Sequence, residues 1–164
     1  MLVINFRLTI FFKINYMKYF CLLICLAFCN CIKAQSADDS VRAAVNQLFT
    51  AMKNADSALL VSSFTDSAIL QTIVDKNGKV QIKTEAVAGF AREVAKMDKG
   101  ILDERIQFDV IRIDGALGVV WTPYKFYYKG KFSHCGVNSF QLVRINGVWK
   151  IQYLIDTRRS VGCE

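Results

Sequence analysis

The chain has 164 residues, 53% of them hydrophobic, with a single proline and a formal net charge of +7. This length suits one domain, and the apolar content excludes an intrinsically disordered or collagen-like chain. Residues 1–34 hold four of the 21 Lys and Arg residues and none of the 14 Asp and Glu residues, so the remainder carries a charge of only +3. A charge this small gives no support for a nucleic-acid partner.

The first 34 residues have the pattern of a secretory signal peptide. Lys18 precedes an apolar run of eleven residues from Tyr19 to Cys29, and Ala34 provides a small residue at the expected cleavage site. A spanning helix needs roughly 20 apolar residues, so the run is too short for a membrane anchor. We therefore expect residues 1–34 to be a signal peptide that is cleaved after Ala34, with Met17 as an alternative translation start, and the product to be periplasmic or secreted without a stable membrane span.

Two of the six cysteines, Cys135 and Cys163, would remain after this cleavage. An oxidising compartment permits a disulfide between them, and two unpaired thiols are the alternative that the sequence leaves open.

Helical periodicity opens the mature segment, residues 35–164. Apolar residues recur at helical spacing from Val41 to Met52 behind the acidic residues Asp38 and Asp39, which predicts an amphipathic helix over residues 36–53. The elements predicted next are a short helix over 57–62, two strands over 69–74 and 80–82, and a third helix over 84–96.

Every segment after Ile101 has strand character. Three turn signals, Asp114-Gly115, Lys129-Gly130 and Asn146-Gly147, separate four strands of β-branched and aromatic residues and predict an antiparallel meander. If each turn is a two-residue hairpin, Ile113 pairs with Ala116, Tyr128 with Lys131, and Ile145 with Val148.

Counting from these turns places apolar residues in rows on one sheet face. One row holds Phe108, Trp121, Asn138 and Ile155, and a charged row at the end of the same face holds Glu104, Lys125, His134 and Arg159. Pro123 weakens this register, because a proline inside a strand usually marks an edge or a bulge. A bulge there or at Gly136 would turn Tyr124 and His134 onto other faces.

Helices that cover one face of a curved antiparallel sheet define an α+β domain. The order of elements resembles the nuclear transport factor 2-like superfamily, which includes the SnoaL-like proteins. The resemblance covers the whole mature chain as a single SnoaL-like domain. It rests on the opening helix, Phe64-Thr65-Asp66-Ser67-Ala68 and the terminal Gly147-Val148-Trp149-Lys150-Ile151. Residues 121–140 and 155–159 are similar to a secreted bacterial subgroup, some of whose relatives are labelled lumazine-binding.

This resemblance implies a cone-shaped fold with three N-terminal helices packed on a curved antiparallel sheet that ends in a four-strand meander. It also implies a pocket inside the cone and a homodimer formed through the outer sheet face. Some members of the superfamily are isomerases, cyclases or dehydratases that use an Asp or His in the cone, and many others only bind ligands or partners. The fold alone does not decide between these activities.

His134 is the only histidine, and an ordinary imidazole pKa of about 6.5 suits proton transfer at neutral pH. We predict it as a general base or hydrogen-bond donor, with Asp156 as a second acid–base candidate if a bulge turns it inward. The predicted ligand contacts are Phe108, Trp121, Tyr124, Asn138, Tyr153, Arg158 and Arg159. The alternative is a histidine at the rim of a filled core.

Three functions remain open from the sequence. The leading one is an exported domain that binds a small apolar or aromatic ligand; the others are a cofactor-free acid–base enzyme using His134 and a protein-interaction module with a filled cone. One histidine gives too few ligands for a catalytic metal, and no cofactor is expected. Covalent catalysis by Cys135 is disfavoured, because adjacent strand residues point to opposite faces and a disulfide would consume the thiol.

Overall fold

The structure of this chain is a computed structural model that describes residues 37–76 and 78–163. The chain divides into two units, residues 1–35 and 36–164, and the described residues all belong to the second. The predicted signal peptide and its cleavage site lie outside the described residues. No helix in the described part of the chain is both long and apolar enough to cross a membrane.

Three helices are present in this part: α1 (Ala37–Lys53), α2 (Ser57–Ser62) and α3 (Val87–Ala95). Helix α1 begins with two acidic residues and ends at a lysine, the arrangement that the helix dipole favours. Helix α2 begins behind Asp56, whose Oδ1 accepts a 2.9 Å hydrogen bond from the backbone N–H of Leu59. The first two helices therefore follow the predicted order and spacing.

Seven strands form one sheet: β1 (Phe64–Lys76), β2 (Lys79–Glu85), β3 (Leu102–Ile106), β4 (Val110–Asp114), β5 (Leu117–Tyr128), β6 (Lys131–Ile145) and β7 (Val148–Thr157). The sheet order is β2-β1-β7-β6-β5-β3, and β4 also pairs with β5. The predicted four-strand meander is present, except that its first strand is divided into β3 and β4.

Two details of the predicted architecture are wrong. The sheet is mixed rather than antiparallel, because β1 runs parallel to β7. A parallel pair needs a long crossover, and here the entire chain between β1 and β7 supplies it. Only two helices precede the sheet, since α3 follows the β1–β2 hairpin, and residues 84 and 85 end β2 instead of beginning that helix.

The hairpin turns fix the register near each turn, but not along the whole strand. Tyr128 pairs with Lys131 and Ile145 with Val148, as predicted. Ile113 pairs with Gly118 instead of Ala116, a shift of two residues that keeps its side chain on the same face.

Two β-bulges then reverse the predicted faces. Phe126 pairs with His134, whereas Tyr127 pairs with Phe132, so Ser133 is an extra residue in β6. In β7 the extra residue is Gln152, between the pairs Leu142–Ile151 and Gln141–Tyr153. A slip of one residue moves every following side chain to the opposite face. Asp156 consequently lies on the inner face of the sheet.

The core lies between this inner face and the helices. Its largest fully buried side chains are Phe140, Leu142 and Ile151 of the sheet, with Leu48 and Leu60 of the helices. Burial of several such side chains, each worth roughly 1.5 to 3 kcal/mol, holds the helices over the sheet.

Candidate functional site

A cavity of about 550 Å³ lies beside this core, lined by residues of α1, α3 and six of the seven strands. Its volume falls within the range of small-molecule sites, roughly 300 to 1,000 Å³. The apolar lining residues are Leu48, Phe49, Met52, Leu70, Val74, Phe90, Leu102, Phe126 and Leu154. The polar lining residues include Thr72, Glu104, His134, Asn138, Asp156 and Arg158.

Asp156 sits in a row of polar side chains that crosses three adjacent strands. Thr72 of β1 and Asn138 of β6 are its direct cross-strand neighbours. The Asp156 carboxylate accepts hydrogen bonds from Thr72 Oγ1 at 2.6 Å, Arg158 Nε at 2.8 Å and the Tyr124 hydroxyl at 3.2 Å. These three donors account for both carboxylate oxygens, so Asp156 and Arg158 form a paired, hydrogen-bonded unit at one side of the cavity.

Gly136 allows the end of β7 to approach this unit closely. A Cβ atom at position 136 would lie 1.8 Å from the backbone oxygen of Thr157 and 2.9 Å from Cε1 of Tyr124. The Tyr124 hydroxyl has one proton, which it shares between that same oxygen at 2.9 Å and the Asp156 carboxylate at 3.2 Å. Any side chain at Gly136 would therefore displace the backbone that carries Asp156 and Arg158.

Glu104 is the other acidic group on the inner side of the cavity. Its Oε1 accepts a 2.8 Å hydrogen bond from Asn138 Nδ2, and no cation of the described residues lies within ion-pair distance of it. Burial raises the pKa of Glu104 to about 7; the bond from Asn138 opposes the rise and the charge of Asp156 adds to it. Near neutral pH the carboxyl is therefore present in both protonation states.

Glu104 is not among the predicted ligand contacts, although the predicted charged row contains it. Its signal in the sequence is an acidic residue on the same strand face as Leu102 and Ile106, which are both apolar. Thr72 has no such signal, because its strand contacts β7 only through the parallel pairing that the turns do not reveal.

His134 also lines the cavity, as predicted for the inner sheet face. Its ring packs on Phe126 at a centroid distance of 4.9 Å and meets Tyr124 edge to face at 5.7 Å. Burial and the charge of Arg158 lower the pKa of His134, while Asp156 opposes them. The imidazole is therefore largely neutral at neutral pH, the form in which it can accept a proton.

Several predicted contacts lie away from the cavity. Phe126, not Lys125, neighbours His134 in β5, and Lys125 faces the other side with Cys135. Trp121 pairs with Ser139 on the outer face and is 44% exposed, because the bulge at Ser133 has shifted the register.

Tyr153 faces outward as well, and its hydroxyl donates to Gln71 Oε1 at 2.7 Å. Phe108 falls in the break between β3 and β4, where Arg42 covers its ring at 4.7 Å. Arg159 lies beyond β7 and donates to the backbone oxygen of Gly162 at 3.2 Å. Tyr124 contacts the cavity-lining residues Asp156 and His134. Asn138, Asp156, Arg158 and His134 are thus the predicted residues that the cavity brings together.

Cys135 and Cys163 are joined by a disulfide that fastens the C-terminal segment to β6. Cys135 and Arg159 also exchange two 2.9 Å backbone hydrogen bonds. Across residues 37–76 and 78–163, no group of three or more His, Cys, Asp or Glu side chains is arranged to hold a metal ion.

The architecture and the cavity together define a class: an α+β domain in which helices and a mixed seven-stranded sheet enclose a small-molecule-sized space. No protein-family model matches the chain, and neither does any curated protein. Solved structures do match. A nuclear transport factor 2-like protein of unknown function from Shewanella baltica OS155 is 15% identical with a TM-score of 0.57, over 73% of this chain and 91% of that one.

Two further structures are similar to the same extent. A nuclear transport factor 2-like protein of unknown function from Methylobacillus flagellatus KT has 15% identity and a TM-score of 0.58, covering 76% of this chain and 95% of that one. A domain of unknown function with a cystatin-like fold from Nostoc punctiforme PCC 73102 has 15% identity and a TM-score of 0.60, covering 79% and 80%. This chain therefore has the nuclear transport factor 2-like fold, which confirms the predicted resemblance as far as the fold is concerned.

Proposed function

We propose that this chain is a small-molecule-binding domain whose ligand occupies the 550 Å³ cavity. The observation that supports the proposal is the cavity itself, whose lining combines nine apolar residues with ten polar or charged ones. The cavity is half open to solvent, and its volume is sufficient for a small molecule. Three aromatic rings in the wall, from Phe49, Phe90 and Phe126, favour a small apolar or aromatic ligand.

Binding of the neutral dye N-phenyl-1-naphthylamine tests this proposal. The dye should bind with one-to-one stoichiometry, and Leu154→Trp, which fills the cavity from β7, should weaken binding at least about tenfold. Leu102→Trp fills it from β3 and should have the same effect. Val148→Trp, at an exposed position away from the cavity, is the control and should bind like the wild type. Equal dye binding by all variants that retain the wild-type circular dichroism spectrum would contradict the proposal.

A second candidate function is a cofactor-free acid–base enzyme, such as an isomerase, cyclase or dehydratase. The observation that favours it is a neutral imidazole, His134, and a carboxyl with a pKa of about 7, Glu104, in the same cavity. Such groups exchange protons readily at neutral pH. Ligand released from protein purified from its native host could be incubated with the protein in D₂O. Deuterium incorporation that His134→Ala abolishes would support catalysis, and no incorporation would support binding alone.

We also propose that the protein is exported and that it belongs to the SnoaL-like branch of this fold. The signal-peptide pattern of residues 1–34 and the Cys135–Cys163 disulfide support export, because disulfides persist in oxidising compartments. Mass spectrometry of the protein from its host should show Gln35 as the first residue. An intact leader on the cell-associated protein would contradict export by this route.

A homodimer through the outer sheet face is a further proposal. Trp121 and Val119 of β5 are 44% and 37% exposed on that face. Exposed aromatic residues in an apolar patch are typical of interface anchors. Analytical ultracentrifugation should show a dimer that Trp121→Asp dissociates, while Val80→Asp, on the distant strand β2, should leave it intact. A monomeric wild-type protein would contradict this proposal.

A further inference from the structure

We infer that the ligand carries a nitrogen cation, such as a protonated amine, and that the Glu104 carboxylate binds this cation inside the cavity. The inference rests on the proposed ligand-binding function and adds the chemical class of the ligand.

The first observation is the incomplete set of partners around Glu104. Its side chain lines the cavity, and Asn138 satisfies only Oε1, at 2.8 Å. In the described part of the chain Oε2 accepts no hydrogen bond, and no Lys, Arg or His forms an ion pair with this carboxylate. A half-buried carboxylate without a cation keeps an acceptor free, so Glu104 Oε2 is available to a donor on a bound ligand.

The second observation is that the other charged groups of the cavity do not fill this position. Besides Glu104, the titratable and charged lining side chains are Lys83, Glu85, His134, Asp156 and Arg158. Arg158 is committed to Asp156 through its Nε, and its Nη2 donates to Thr72. His134 is largely neutral at neutral pH, because burial and the charge of Arg158 lower its pKa.

The surroundings of Glu104 also suit an organic cation better than a hydrated metal ion. Phe126 is its direct neighbour across the β3–β5 pair, and Phe90 and Phe49 line the same cavity from the helices. Aromatic faces attract ammonium groups, and apolar walls accommodate the carbon skeleton that such a group carries. A single carboxylate is too small a ligand set for Mg²⁺ or Ca²⁺.

An anionic ligand would meet the Glu104 charge at close range and would bind only to the protonated carboxyl. A neutral ligand with a carbonyl group could also accept a hydrogen bond from the protonated form. These two ligand classes are therefore the alternatives that an experiment must separate from the cation.

Three probes that share one aromatic skeleton separate the classes: naphthylmethylamine, naphthylmethanol and naphthylacetate. Titration calorimetry at neutral pH should show the amine binding at least about tenfold more tightly than the alcohol, with the acetate weakest, because a charge-assisted hydrogen bond replaces a neutral one. Below about pH 7 the amine affinity should fall, since a proton competes with the cation for Glu104.

Variants assign this preference to Glu104. Glu104→Gln can still accept the bond from Asn138 but carries no charge, so it should lose at least about tenfold in amine affinity and bind the alcohol as before. Glu104→Asp should keep the preference for the amine. Glu85→Gln removes another lining carboxylate, one that is exposed, and should behave like the wild type.

The possible failures are distinguishable. If the alcohol or the acetate binds as tightly as the amine, or if Glu104→Gln keeps the amine preference, the cation inference is wrong and the ligand-binding proposal stands. If neither these probes nor N-phenyl-1-naphthylamine binds the wild-type protein, both are wrong.

Discussion

Ionisation of Glu104 should lower the free energy of unfolding of this protein as the pH rises. Burial raises its pKa from the ordinary 4.5 to about 7 in the folded protein. Folding therefore favours the protonated carboxyl. The stability that this preference provides is complete below about pH 4.5 and is lost as the pH rises through about 7.

The size of the effect follows from the shift in pKa. One pKa unit corresponds to about 1.4 kcal/mol, so the rise from 4.5 to about 7 corresponds to about 3 kcal/mol of unfolding free energy at high pH. Part of this loss falls below pH 5, and water in the cavity screens part of the remainder. We therefore expect the wild type to lose about 2 kcal/mol relative to Glu104→Gln between about pH 5 and 8.

Urea denaturation of both proteins at these two pH values measures the difference, because contributions from all other titrating groups are common to both and largely cancel. Glu93→Gln is the matched control. Glu93 of α3 is exposed and forms an ion pair with Lys96, the residue that follows this helix. The control should follow the wild type at both pH values. Parallel pH profiles for the wild type and Glu104→Gln would refute the assignment of a raised pKa to the half-buried Glu104.

Three further substitutions should change the unfolding free energy measured with urea. Gly136→Ala should cost about 3 kcal/mol or more, because its Cβ would lie 1.8 Å from the Thr157 oxygen; wild-type stability would contradict that packing. Cys163→Ser should cost about 3 to 4 kcal/mol, because it opens the loop that the disulfide closes between Cys135 and Cys163, 28 residues apart. An unchanged urea midpoint under oxidising conditions would contradict the disulfide. Thr122→Val should be neutral or stabilising by about 1 kcal/mol, because Thr122 Oγ1 is buried without a hydrogen-bond partner, and a loss above that size would reveal a missed partner.

The sequence predicts most of the fold because its signals are local. Helical periodicity from Val41 to Met52 and the three glycine-containing turns specify α1 and the β4–β7 meander. The parallel pairing of β1 with β7 joins segments more than 80 residues apart, such as Thr72 and Asp156, and no local pattern encodes it. The sequence also predicts a third helix after the first hairpin, where α3 lies.

The site is harder to predict because two single-residue bulges decide which residues enter the cavity. Ser133 and Gln152 are the extra residues, and neither carries the proline or glycine that marks a bulge in a sequence. Pro123, the suspected position, pairs regularly with Val137 and lies opposite the break between β3 and β4, where its missing N–H costs no ladder bond to those strands.

The outcome at the site follows from those bulges. Asp156 turns inward beside Asn138, and Trp121 turns outward. Tyr153 turns outward as well. His134 stays in one row with Glu104, because the β3–β5 pairing is also shifted by one residue, so that Phe126 replaces Lys125 between them.

A ¹³C NMR titration of the Glu104 side-chain carboxyl, with and without naphthylmethylamine, tests the central claim most directly. The free protein should show a midpoint of about pH 7, and saturating amine should move this midpoint to lower pH by one unit or more. The size of the shift equals about the logarithm of the ratio between the amine affinities of the ionised and the protonated carboxyl. A midpoint near the ordinary 4.5, unmoved by the amine, would contradict both the enclosed position of Glu104 and its role in holding a ligand.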